Sequence, residues 1–279
     1  MSGGDMGMER GSRPLQEWRF ARAVRLRAWW PPALAAIGVV GFWEIFVPIT
    51  GEPAYVLPPL HSIVATAIQE APEVFFPAAW ITLREVLGGL LLGASAGLVL
   101  GTLVATNRII RAAVLPMVIM SQSVPVIAMA PILIIWFGFG ILPKILVAAL
   151  VCFFPVAINT IAGLNATEEE TLRLMRSLNA SPSQVFAKVR LPMALPFVFA
   201  GLKQSAVLSV IGAIVGEWVG ASEGLGPVMI AANASFNTKV VFAAILYLAA
   251  MGMVLFGVVS VTERMAIPWY FLTRRSSKS

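Results

Sequence analysis

Charged side chains are scarce in this 279-residue chain, making up 12% of it against about 25% in ordinary soluble domains. That scarcity excludes a water-soluble globule. The accompanying 58% hydrophobic content excludes disorder, which needs low hydrophobicity. There is one cysteine, Cys152, so no internal disulfide and no multi-cysteine metal site can form. There is one histidine, His61, beside Pro58 and Pro59. Gly93-Ala94-Ser95-Ala96-Gly97 matches the nucleophile-elbow pattern. It lies inside an apolar run without the strand–turn–helix setting that motif needs, and no base accompanies Ser95, so a hydrolase is not supported. No segment matches the P-loop that cradles nucleotide phosphates, so any ATP chemistry belongs to another chain.

What is present is apolar and arranged in long blocks. A spanning helix needs about 20 mostly apolar residues. Six blocks qualify, over residues 32–49, 80–106, 112–139, 145–164, 194–218 and 240–261. The third carries Pro116, Pro125 and Pro131, which break or kink a helix. The expected fold is therefore all-α, a polytopic membrane protein with about six transmembrane helices. Residues 1–31 form a basic N-terminal segment, 32–263 the transmembrane domain and 264–279 a basic tail. A basic head before an apolar run has the order of a secretory signal peptide. The run is long for that and five more follow, so an uncleaved first helix is expected.

Charge orients the spans. Sixteen of the 20 basic residues fall on one side if there are six spans: six in the head from Arg10 to Arg27, then Arg108 and Arg111, then Arg173, Arg176, Lys188 and Arg190, then Arg264, Arg274, Arg275 and Lys278. The opposite loops hold Lys144 and Lys239 against Glu52, Glu70, Glu73 and Glu223. The positive-inside rule puts both termini in the cytoplasm. The net charge of +6 is thus an orientation signal and calls for no nucleic-acid partner.

Gly89, Gly93, Gly97 and Gly101 recur every four residues in the second span, and Gly212, Gly216 and Gly220 do so in the fifth. Such stripes let another backbone approach closely. Ordinary helix packing and a subunit seam both fit them.

The loop at 167–192 is the most informative segment. Thr167 followed by Glu168, Glu169 and Glu170 reads as a capping box, with Thr167 as the cap and Glu170 reaching back. The helix it starts carries Arg173 and Arg176 and runs to about Leu178. Asn179 suits the left-handed residue that ends a helix. Ala180 and a second box follow, with Ser181 the cap, Pro182 first and Gln184 closing it. This helix carries Val185, Phe186 and Val189 and is expected to end near Leu191-Pro192. Two short helices whose apolar residues have little of their own chain to pack on suit docking into a partner's groove, and a loop folded back on the membrane surface is the competing reading.

The stretch Arg173-Leu174-Met175-Arg176-Ser177-Leu178-Asn179-Ala180-Ser181, with Val189-Arg190-Leu191-Pro192 beyond it, resembles the coupling-loop signature of ABC-importer permeases. Arg173 stands where that signature has glutamate, and Asn179 where it has glycine. Asn179 keeps the left-handed capability, and Glu169 or Glu170 can replace the lost salt-bridge partner. Val56-Leu57-Pro58-Pro59, the run from Ala130 to Gly140, and Gly216-Glu217-Trp218-Val219 with Gly224-Leu225-Gly226 also resemble that family. The likeness extends to the subfamily importing nitrate, sulfonates, taurine, pyrimidine precursors or riboflavin. It implies a type I importer fold with two permease copies. It implies two ATP-binding subunits on residues 167–192 that use ATP and Mg, and an extracytoplasmic solute-binding protein. No cofactor is expected on this chain itself.

Polar groups inside spans tend to mark pathways. Ser121, Gln122, Ser123, Asn159, Gln204, Ser205, Ser209 and Glu217 are the candidates, and interhelical hydrogen bonding is the competing reading for each. Arg84 and Glu85 are expected to anchor at an interface, and Lys203 to snorkel. The acidic outer loops disfavour an anion. The stretch from Val210 to Trp218 resembles permeases for pyrimidine thiamine precursors or riboflavin. A secondary transporter would instead need intramembrane ionisable groups, of which the spans offer few.

Overall fold

The computed structural model describes residues 13–51 and 55–270, with side chains from residue 30 onward. Arg10, the side chains of the other basic residues of the head, and Arg274, Arg275 and Lys278 of the tail lie outside that description. Every regular element among the described residues is helical. Two compact units are distinguished, one through Ile63 and one from Val64.

The first unit contains helix α1 (Arg13–Thr50) and the start of α2 (Leu60–Gln69). Glu44 of α1 accepts the Leu60 amide at 3.0 Å and pairs with His61. Trp43 donates its indole N–H to the Pro58 carbonyl.

In the second unit a π turn, Ala71–Phe75, leads into α3 (Phe76–Thr106). Next come α4 (Arg108–Ser121), α5 (Val126–Phe137) and α6 (Ile141–Asn165). Asn107 starts α4 by accepting the amides of Ile109 at 2.9 Å and Ile110 at 3.2 Å. The third expected span is a pair of helices, α4 and α5, bent by 100°. Pro116 and Pro131 sit inside those helices, and the break ends at Pro125, the extended residue just before α5. Gly138 and Gly140, with φ of 77° and 153°, turn the chain from α5 into α6. After α7 (Glu169–Ser177) come α8 (Pro182–Val185), a second π turn, Phe186–Arg190, and α9 (Leu191–Gly220). The chain finishes with α10 (Leu225–Ala234) and α11 (Thr238–Ala266).

Five described helical stretches are long and apolar enough to cross a membrane, and the bent pair makes a sixth. Helix α6 is central, packed between α3 and α9. The α3 glycine stripe faces it, as do Gly212 and Gly216 of α9, while Gly220 faces Ile134 of α5. A Cβ at Gly97 would lie 2.8 Å from the Phe153 carbonyl, and one at Gly212 would lie 2.6 Å from Ala148 Cα. The stripes are therefore packing surfaces within this chain. Val86, Ala148, Ala206, Val210, Ala213 and Leu255 form the core where α3, α6, α9 and α11 meet.

Candidate functional site

Residues 167–192 form a two-helix element at the end of the bundle that carries Thr106, Asn165 and Arg190. Helix α7 begins one residue later than expected. Its N-cap is Glu168, whose side chain caps nothing. Thr167 is buried and its hydroxyl has no partner. Glu170 is consequently the second helical residue, one position short of where a capping-box acid reaches back. Glu169 instead pairs with Arg173 at 3.0 Å on an exposed surface, an arrangement worth about 0.3–0.5 kcal/mol. Arg176 sits in the last turn.

The bend is built as the residues require. Asn179 is left-handed, with φ of 53°. The Asn179 amide donates to Arg176 O and the Ala180 amide to Met175 O, both at 3.0 Å, which is the Schellman closure of a helix end. Ser181 then accepts the Gln184 amide at 3.3 Å, and Gln184 Oε1 accepts the Ser181 amide at 2.9 Å. The second helix does not stop at Leu191-Pro192. Pro182–Gly220 is one helical stretch of 39 residues. Proline has no N–H and its ring crowds the carbonyl four residues back. The π turn Phe186–Arg190, which includes Val189, takes up that room immediately before it. Phe186 packs on Ala105, Leu164 and Ala194, so it ties the element to the bundle. Leu174 and Leu178 stay exposed. A groove of about 310 Å³ opens between Leu172, Arg176, Pro182 and Arg190.

Of the intramembrane candidates, Gln122, Asn159 and Gln204 line one cavity of about 330 Å³, walled by Val126, Phe154 and Leu208. Asn159 donates to Pro155 O at 2.8 Å, leaving its side-chain oxygen available. Ser121 donates to Val118 O, and Ser123 is exposed in the same helix break. Ser205 and Ser209 are buried between helices. Ser205 donates to Cys152 O at 2.8 Å while Cys152 Sγ donates to Ser205 O, and Ser209 donates to Ala206 O.

Glu217 lies elsewhere, fully buried at the far end of α9. Its Oε1 accepts the Thr82 hydroxyl at 2.6 Å and its Oε2 accepts the Gly226 amide at 2.5 Å. Thr82 in turn accepts the Leu225 amide at 3.0 Å. Glu85 interacts with Glu217 and forms a 2.9 Å ion pair with Lys144. Glu85 is thus no interfacial anchor. Lys144, expected in a loop, is a buried residue of α6. Lys203 does not snorkel: it meets Glu263 at 2.6 Å, joining α9 to α11. The sequence held a signal for the first pair. Glu85 stands four residues before Gly89, and Lys144 four before Ala148, so both continue the faces along which α3 and α6 pack. No cluster of metal-ligating side chains occurs among the described residues.

Residues 90–266 match the family described as binding-protein-dependent transport system inner membrane component. The chain is 38% identical over 224 residues to a probable ABC transporter permease protein of Haemophilus influenzae, covering 80% of this chain and 91% of that one. It is 36% identical to the formylaminopyrimidine transport permease protein ThiX of Halalkalibacterium halodurans, over 85% of this chain and 95% of the other. It is 34% identical to the riboflavin transport system permease protein RibX of Chloroflexus aurantiacus, over 82% and 85%. In fold it is similar to the MetNI methionine ABC transporter in an inward-facing conformation, with a TM-score of 0.57 and 24% identity over 67% of this chain and 94% of that chain.

Proposed function

Because the chain belongs to the family of binding-protein-dependent transport system inner membrane components, we propose that it is the permease of an ATP-driven importer whose solute is a pyrimidine thiamine precursor or riboflavin. The observation that carries the solute class is the cavity lined by Gln122, Asn159 and Gln204. It offers amides between apolar and aromatic walls and no charged side chain. Such a lining suits a neutral heteroaromatic with several donors and acceptors. The relatives named for formylaminopyrimidine and riboflavin, at 36% and 34% identity, support the same class. Relatives named for aliphatic sulfonates and taurine, at 32% and 30%, support the second reading, a sulfonate, taurine or nitrate importer. An anion would look for a cation in that cavity.

In this reading two copies of the chain pair in the inner membrane, with both termini in the cytoplasm. The 167–192 element faces the cytoplasm and docks on ATP-binding subunits, which hold the ATP and Mg. A solute-binding protein delivers solute at the opposite face. The chain itself catalyses nothing. When the ATP-binding subunits close, they displace the docked element. The permease pair then switches between outward- and inward-open states as rigid bodies. Phe186 links the docked helix to the core, and the unbroken helix from Pro182 onward passes the displacement into the membrane.

The test is reconstitution of the chain with its ATP-binding subunit and binding protein in proteoliposomes. ATP-dependent uptake of labelled formylaminopyrimidine or riboflavin is expected, with taurine not accumulated. Taurine uptake would favour the second reading. Uptake driven by an ion gradient, without any ATP-binding subunit, would overturn the importer and favour a secondary transporter.

A further inference from the structure

Helix α10 is held at its start by side chains of two other helices, α3 and α9. It begins after Gly224, whose φ is 117°, and its exit passes through Phe236, whose φ is 55°. A bulky residue at positive φ is a conformational outlier. Between these two left-handed joints α10 is a short rigid segment. Its first two amides are taken by side chains of other helices: Gly226 N–H by Glu217 of α9, and Leu225 N–H by Thr82 of α3. A carboxylate at a helix N-terminus is favourable in both charge and hydrogen bonding. Gly226 is required by closeness, since a Cβ there would lie 2.7 Å from Glu217 Cβ. Glu217 itself stands on the helical stretch that starts at Pro182 in the 167–192 element.

We infer that Glu217 and Thr82 are positioning residues for transport. They fasten α10 to the far end of the Pro182–Gly220 rod, so that movement of the docked element reaches α10 and displaces it about its two joints. This rests on the importer reading above. Solute passage and ATP hydrolysis are linked through this fastening, while subunit assembly is not.

The test uses the full complex in proteoliposomes, with spin labels on Trp80→Cys and Ile230→Cys, both exposed positions on α3 and α10. The label distance is expected to change between the nucleotide-free and the vanadate-trapped complex. Glu217→Gln and Thr82→Val are expected to abolish that change and lower the solute moved per ATP about tenfold, with binding-protein-stimulated hydrolysis retained. Thr82→Ser, which keeps the hydroxyl, restores the ratio, and Glu223→Gln on the adjacent exposed turn leaves it unchanged. An unaltered ratio in Glu217→Gln and Thr82→Val overturns the inference. So does a fixed label distance in the parent, or loss of assembly in both variants, which would mark a merely structural role. A parent chain that never engages the ATP-binding subunit would instead fail the importer reading, before any variant is compared.

Discussion

The Lys144 ammonium lies 2.9 Å from the Glu85 carboxylate, and both side chains are almost wholly shielded, at 10% and 1% exposure. The pair bridges α6 and α3. Removing charges from water at this depth is costly, and only close pairing offsets it.

Lys144→Met is therefore expected to destabilise the detergent-solubilised protein by about 3–5 kcal/mol, because it leaves Glu85 buried without its cation. The double variant Glu85→Leu/Lys144→Met is expected to recover most of that loss. Equilibrium unfolding of both single variants and the double completes the cycle. Additive single effects would show that the two side chains do not act as a pair.

Gly97→Val should part α3 from α6, since the first carbon added would already lie 2.8 Å from a backbone carbonyl. Overpacking of this kind costs about 1–3 kcal/mol. Gly38→Ala in α1, where nothing stands within 4 Å, is expected to leave stability equal or higher. Thermal unfolding of the two variants side by side checks the contrast.

Asn179→Gly is expected to preserve capture of the ATP-binding subunit, because glycine accepts the φ of 53° without strain. Asn179→Val should weaken capture, since a left-handed β-branched residue costs about 1–2 kcal/mol or more. Co-purification yields decide the matter. Equal capture by both variants would mean that the bend is not part of the docking surface.

Gln204→Leu and Asn159→Leu should each lower solute uptake about tenfold while binding-protein-stimulated ATP hydrolysis continues. Ser209→Ala should leave uptake unchanged, as its hydroxyl is spent on Ala206 O. Uptake assays across the three variants separate the cavity from the helix contacts.

Much of the architecture was legible in advance. Spans, the helix break within the third one, the Asn179 bend and the Ser181–Gln184 box all depend on residues near one another in the chain. Helix α7 starts one position after the Thr167 cap that the sequence suggests, because three consecutive glutamates allow the helix to start at more than one of them. The stop expected at Leu191-Pro192 was wrong for a different reason. Proline's demand for space was met by a local π turn, an accommodation that composition does not reveal.

The eight polar residues proposed for the pathway could not be sorted from sequence, and the structure separates them. Gln122, Asn159 and Gln204 converge on one cavity. Ser205 and Ser209 are used up between or within helices.

The sequence by itself determined the membrane class, the span order and the family likeness. Hydropathy sums over a local window, and a signature loop is contiguous. Only the tertiary structure decided which buried groups answer one another. Thr82 and Glu217 meet across a separation of 135 residues. That meeting depends on how α3, α6 and α9 pack, and a carboxylate inside the bundle is stable only where packing has brought its donors to it.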